Sequence, residues 1–253
     1  MAASAVEIVE TTVEELQPWR DMYLHEMSCQ VVQDSFHRRS GWTREFRLRR
    51  GDADLGYGSL VIGRPWTGTP TLFEFFLAPP HRSQLFSAFE ALVAATRPVA
   101  MRVQMNDALA SVMLHAFGAD PRCESILFHD REQTGLVAAG ARFRPATADE
   151  APDTPAAQLP WRAVLDVDGE VAATGGVLFH YNRPYGDIYM DVKEPFRRRG
   201  LGAFIVQELK RLCYQRGSIP AARCTPDNGP SRATLQRAGF WPCGTVVTAT
   251  LDG

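Results

Sequence analysis

Arg197, Gly200 and Gly202 stand at the spacing Arg-x-x-Gly-x-Gly within the run Val192-Lys-Glu-Pro-Phe-Arg-Arg-Arg-Gly-Leu-Gly202. Residue types of this kind at this spacing can hold an anion. Three consecutive arginines supply charge, and two glycines let a phosphate approach the backbone with no side chain in the way. After them Leu201, Phe204, Ile205, Leu209 and Leu212 recur at three and four positions, the period of one helical face. The helix therefore begins at the glycines. Its unpaired first-turn N–H groups and the positive end of its dipole point to where the arginines gather, and a diphosphate suits such a cradle. Before the turn, Asp187, Tyr189 and Asp191 alternate with Ile188, Met190 and Val192. A strand puts the two sets on opposite faces, so one face of a central strand is polar.

The elements that position this turn can be read on both sides of it. The helix ends near Arg216-Gly217, Pro220 breaks the chain, and Ala221 to Cys224 reads as a strand. Asp227-Asn228-Gly229-Pro230 then opens a second helix, with Pro230 suited to its first turn and Gly239 to its C-terminal cap. A nucleotide-binding P-loop would need Lys-Ser or Lys-Thr after its last glycine, and Ala203-Phe204 stands there instead. The order of strand, phosphate turn, helix, strand and helix resembles the GNAT superfamily of acyl-coenzyme A transferases, whose R/Q-x-x-G-x-G/A signature is met by Arg197, Gly200 and Gly202. Asn228, Ser231 and Gly239-Phe240 match that family's downstream N-x-x-[AS] and Gly-Phe, and the likeness is specific over residues 163–247.

The resemblance implies an N-acetyltransferase that moves an acetyl group from acetyl-CoA to an amine by direct transfer in a ternary complex. It implies that Val192, Arg197, Arg198, Arg199, Gly200, Leu201, Gly202, Ala203, Asn228 and Ser231 hold the coenzyme. Three catalytic tasks follow: the amine must lose a proton, the tetrahedral oxyanion must meet donors, and the departing thiolate must be neutralised. Asp191 is the first candidate for the base, Asp187 the second, and Tyr189 could orient the amine. His180 is another candidate base. Many family members carry a tyrosine seven residues after the motif asparagine to protonate the thiolate, but residue 235 here is Leu. Tyr189, Thr234 or water would have to serve. Otherwise the chain is a sensor or interaction module that binds acyl-CoA without turnover.

The rest of the chain sets bounds on these readings. Its 253 residues suit one or two domains, and a net charge of −2 offers no broad basic surface for nucleic acid. The five cysteines are odd in number and scattered, with no C-x-x-C pair, so neither a disulfide framework nor a metal site is expected. The first residues lack the basic flank and apolar core of a signal peptide, and no segment has the apolar length of a membrane span. A cytoplasmic protein acting on a small-molecule or peptide amine, with no metal, is the expectation.

The first half echoes the second. Phe73 to Leu77 leads through Pro79-Pro80 into a helical pattern with Leu85, Phe86, Phe89, Leu92 and Val93, then a strand near Ala100 to Val103, then Asn106 and Phe117-Gly118. The spacing between matching features is far too long for a solenoid repeat, and domain duplication explains it. The matching turn has Arg82, Leu85 and Ser87, so both glycines are gone and that copy should not bind coenzyme A in the usual way. Thr11 to Val32 has the length of one or two helices, whereas the second half offers Pro145, Pro152, Pro155 and Pro160 at the corresponding place, a composition that opposes helix. The expected fold is therefore α/β (α+β), two GNAT-like mixed-sheet domains in tandem, over 1–135 and 136–253. The second has reduced N-terminal helices, and 131–160 serves partly as a linker.

Overall fold

The computed structural model describes residues 5–151, 153 and 155–251. These form two compact units, 126–243 and a first unit made of residues up to 125 together with 244 onward. In the first unit β1 (Glu7–Thr11) precedes α1 (Val13–Met27), whose N-cap Thr12 accepts a hydrogen bond from the Glu15 N–H. Next come β2 (Thr43–Arg50), β3 (Ala53–Val61) and β4 (Thr71–Leu77), then α2 (Leu85–Thr96), β5 (Ala100–Gln104), α3 (Ala108–Phe117) and β6 (Gly118–Asp130). Consecutive strands β1 to β4 pair antiparallel, and β4 pairs parallel with β5. One core joins the sheet to α2 and α3 through Phe75, Phe89, Leu92 and Met113, and another joins it to α1 through Leu16, Tyr23, Tyr57 and Phe76.

The second unit runs β7 (Ala141–Pro145), β8 (Arg162–Val167), β9 (Glu170–Leu178), β10 (Tyr185–Val192), α4 (Leu201–Gln215), β11 (Ile219–Cys224), α5 (Gly229–Arg237) and β12 (Phe240–Leu251). Its strand order is β6-β11-β10-β9-β8-β7. Between β7 and β8, where the first unit has α1 at the matching stage, the described residues form only a 3-10 turn, Ala156–Trp161. The proline-rich composition accounts for this, since each ring removes an amide donor. The helix α4 packs on one sheet face through Ile205, Val206, Leu209 and Cys213.

One feature departs from the sequence-based expectations. Strand β7 lies inside the stretch assigned to a linker, held by an antiparallel ladder from Ala141↔Val167 to Pro145↔Ala163. The two compact units meet within β6 and within β12 along the chain. Residues 126–129 of β6 pair with β11 in the second unit, while Val246 to Thr250 of β12 pair with β5 in the first. Long strands thus begin in one unit and end in the other.

Candidate active site

The turn before α4 is shaped by two residues in the left-handed region, Arg198 at φ +62° and Gly200 at φ +79°. Glycine adopts that conformation without the Cβ penalty, and Gly200 is the N-cap of α4. No side chain caps the helix, and its first bond of this kind is Phe204 N–H to Gly200 C=O. The Leu201, Gly202 and Ala203 amides therefore face outward with no helical acceptor. A Cβ at Gly202 would stand 3.2 Å from Thr234 Cγ2 and 3.5 Å from Val192 Cγ2, so the missing side chain lets β10, α4 and α5 converge.

A cleft of about 1110 Å³ opens at this point. Its lining includes Asp191, Val192, Arg197, Arg198, Gly200, Leu201, Gly202, Ala203, Asn228 and Ser231, so ten of the sequence candidates meet there. Arg199 does not line it; its guanidinium lies 5.6 Å from the Phe196 ring centre. Arg197 reaches back, donating from Nε to the Val192 carbonyl at 2.8 Å, and lies 3.9 Å from Asp191. Asn228 caps α5 by accepting from the Ser231 amide at 3.0 Å, a structural task beside any ligand contact. The cleft wall also contains polar residues that the motif does not name. Thr234 lines it, as does Arg237, whose guanidinium lies 3.5 Å from where a Gly200 Cβ would be. Leu235, in contrast, is buried in the core, so that position faces away from the cleft.

The polar face of β10 divides into three environments. Asp191 is open to water at the cleft, its side chain 74% exposed. Tyr189 lies outside the cleft beneath the Arg162 guanidinium, 4.7 Å from the ring centre. Asp187 also lies outside the cleft and is buried. His180 Nε2 is 2.9 Å from its Oδ2, Arg223 Nε is 3.8 Å away, and the same carboxylate acts electrostatically on Tyr181. Burial, reinforced by Asp187, pushes the Tyr181 phenol well above its usual range. The β10–β11 ladder stops at Asp187↔Ala221, and beyond it the two parallel strands part. Cys224 is poorly placed as a nucleophile, because burial pushes its thiol up.

The first unit treats the matching positions differently. Its α2 starts at Leu85 after a 3-10 turn, Pro79–Gln84, with no glycine, and the cap of α3 is Asp107 rather than Asn106. The echo of Asn228 is thus displaced by one residue. Glu74 on β4 is wholly buried, held by Arg20, His37 and Tyr57 at 3.3, 3.1 and 2.9 Å. Burial opposes the charge on both groups, yet Arg20 and His37 bring the Glu74 carboxyl down to about 2, and Glu74 and Glu45 take His37 up to about 9.

Comparison with known proteins agrees with this architecture. Residues 121–240 match the model of the acetyltransferase (GNAT) family. No curated protein matches the sequence. Among solved structures, an acetyltransferase from the GNAT family of Colwellia psychrerythraea superposes with a TM-score of 0.76 at 12% identity, covering 97% of this chain and 100% of that one. A tandem GNAT protein from the clavulanic acid biosynthesis pathway gives 0.60 at 16% identity, covering 98% and 99%. A GCN5-related N-acetyltransferase from Sphaerobacter thermophilus gives 0.55 at 14%, covering 83% and 81%. At these identities the structural likenesses speak for the fold, which is that of GNAT-like mixed sheets in tandem.

Proposed function

We propose, from the acetyltransferase (GNAT) family domain that spans residues 121–240, that the chain transfers an acetyl group from acetyl-CoA to an amine in a ternary complex. One observation carries the reading: outward-facing amides at the start of α4, flanked by Arg198 and Arg237, border a large cleft that takes in Met190, Asp191 and Val192 of β10, beyond the last rung of its ladder with β11. The amides and guanidinium groups suit the coenzyme's diphosphate. The free edge of β10 from Ile188 to Val192 suits the amide groups of its pantetheine arm, as an added strand would pair. Ser231, beside the cap of α5, adds a hydroxyl to the cleft wall.

The acceptor is a small-molecule or peptide amine, and the polar face of β10, at Asp187 and Tyr189, provides for its proton. We read residues 1–135 and 136–253 as diverged copies whose strand ends have been exchanged, the first without a ligand. All five cysteines are free thiols, which suits a reducing cytoplasm. No described helix is long and apolar enough to cross a membrane. The test is release of free thiol from acetyl-CoA across a panel of amines, with ATP as competitor. Amine-dependent release unaffected by ATP supports transfer. Tight acetyl-CoA binding with no release for any amine favours the second reading, a non-catalytic acyl-CoA sensor, to which the inward-facing Leu235 lends weight.

A further inference from the structure

We infer that His180, oriented by Asp187, takes the proton from the acceptor amine and that Asp191 does not. The inference rests on the acetyl transfer proposed above and names the residue that serves it. The phosphate cradle abuts the Val192 end of β10, because the Gly202 Cβ position is 3.5 Å from Val192 Cγ2. From Val192 back to Asp187 the strand advances five residues, about 16 Å at ~3.3 Å each. The coenzyme's arm from diphosphate to sulfur has about thirteen bonds, and an extended chain advances ~1.2 Å per bond, giving about 15 Å. An arm laid along the free edge therefore delivers its thioester beside Asp187, with Asp191 near its phosphate end.

The group waiting there is built as a proton acceptor. Asp187 is buried at the last rung of the β10–β11 ladder, and its Oδ2 meets His180 Nε2 at 2.9 Å, which leaves Nδ1 of the ring for a substrate. The imidazole is 24% exposed and lines a second hollow of about 260 Å³ with Trp161, Leu178 and Phe179, an apolar wall for the acceptor's carbon frame. The other ionisable groups around the pair are Tyr181, whose ring lies 4.6 Å from that of His180, Arg223, and Cys243, which acts electrostatically on Tyr181. In the reaction His180 takes one proton from the ammonium form and passes it to water; the amine nitrogen then bonds to the carbonyl carbon and its second proton passes to His180. The C–S bond then breaks with its electron pair on sulfur, and the imidazolium returns the proton to the thiolate. One side chain thus fills both the base's place and that left by Leu235.

The experiment begins with wild-type protein and an amine that releases thiol. His180→Gln should lower kcat by roughly 10²–10⁴-fold with acetyl-CoA affinity unchanged, whereas Asp191→Asn should lose less than about tenfold. The His180→Gln deficit should shrink as pH rises from 7 to 9, since more amine arrives deprotonated. Added imidazole should restore part of the activity of His180→Ala, a rescue that a structural role would not allow. A fully active His180→Gln, or a loss borne by Asp191→Asn instead, overturns the assignment while leaving acetyl transfer standing. Where His180→Gln fails to bind acetyl-CoA, His180→Asn is read in the same way. Absence of amine-dependent release in the wild type overturns the transfer reading itself, and the base with it.

Discussion

The two units carry the same strand and helix plan, and they differ in what covers the polar face of the central strand. In the first, α1 lies over it, so Tyr23 packs on Tyr57 and Phe76, and Glu74 is closed in with Arg20 and His37. In the second, the described residues place no helix between β7 and β8, and Asp191 on the matching strand stays open to water. The turns diverge in step: Leu85 and Ser87 open α2, while Gly200 and Gly202 open α4. A buried ion network and an open cleft are thus two outcomes of one scaffold. Charge under a lid is neutralised by partners and stabilises, and charge without one remains available to a ligand.

The sharpest way to break the comparison is to cut the chain where composition suggests. A fragment starting at Arg142 loses the 126–130 end of β6, which pairs with β11 from Ile126↔Cys224 to Ala221↔His129, and it loses Phe128 from the core. It also strips Lys210, which is buried, of Asp130 and the Glu132 carbonyl at 2.7 and 2.5 Å. Removing the partner of a buried charge costs about 3–5 kcal/mol. The fragment should show no cooperative thermal transition; a soluble fragment that binds the coenzyme would show that the second unit is self-sufficient from residue 142.

Next in size is Gly202→Val. Its Cβ would press on Thr234 and its branches would occupy the mouth of the cradle. Each charge-assisted hydrogen bond lost is worth about 1.5–3 kcal/mol, so two lost bonds should raise the acetyl-CoA Kd at least about 100-fold by calorimetry. The converse, Ser87→Gly in the first unit, should create no binding.

A third test addresses the network under α1. His37 is held at about 9 against an ordinary 6.5, so its contribution is complete below pH 6.5 and is lost as pH rises through 9. Glu74 is held at about 2 against 4.5, so its contribution is complete above 4.5 and is lost as pH falls through 2. Stability should therefore fall between pH 7 and 9.5 by an amount on the order of 2 kcal/mol, seen as a lower thermal midpoint, and His37→Gln should flatten that fall. An equal alkaline decline in the variant would assign it elsewhere. Smallest is Arg237→Gln, expected to raise the acetyl-CoA Kd about threefold to tenfold with a weaker salt dependence, because the guanidinium is exposed.

Much of the second unit was legible because its signals are local. Gly200, Gly202 and the period after them mark the start of α4, and Pro230 and Gly239 bracket α5. The alternation of β10 separates Asp187, Tyr189 and Asp191 from the residues under α4, as the ladder with β9 has it. What the sequence concealed depends on distant partners. Asp187 and Asp191 look alike in the chain, and only the pairing of β9 with β10 brings His180 to one of them. Gln207 and Lys210 are polar residues outside the apolar period of α4, yet both are buried, because Gln207 bonds to Thr134 and Leu136 and Lys210 to Glu132. The strand β6 escaped notice for a related reason. Its first part carries Asp120, Pro121, Arg122 and Glu124, is largely exposed, and alternates only once Leu127 and Phe128 enter the core.

The exchange of strand ends has a consequence for how the protein is made. Synthesis runs from the N-terminus, yet β5 of the first unit waits for Val246 to Thr250, which are translated after the whole of 126–243. The first unit emerges from the ribosome with one edge of its sheet unfilled, and it stays so until the second unit has been synthesised. Completion of the first unit therefore waits on residues that follow the whole of the second in the chain.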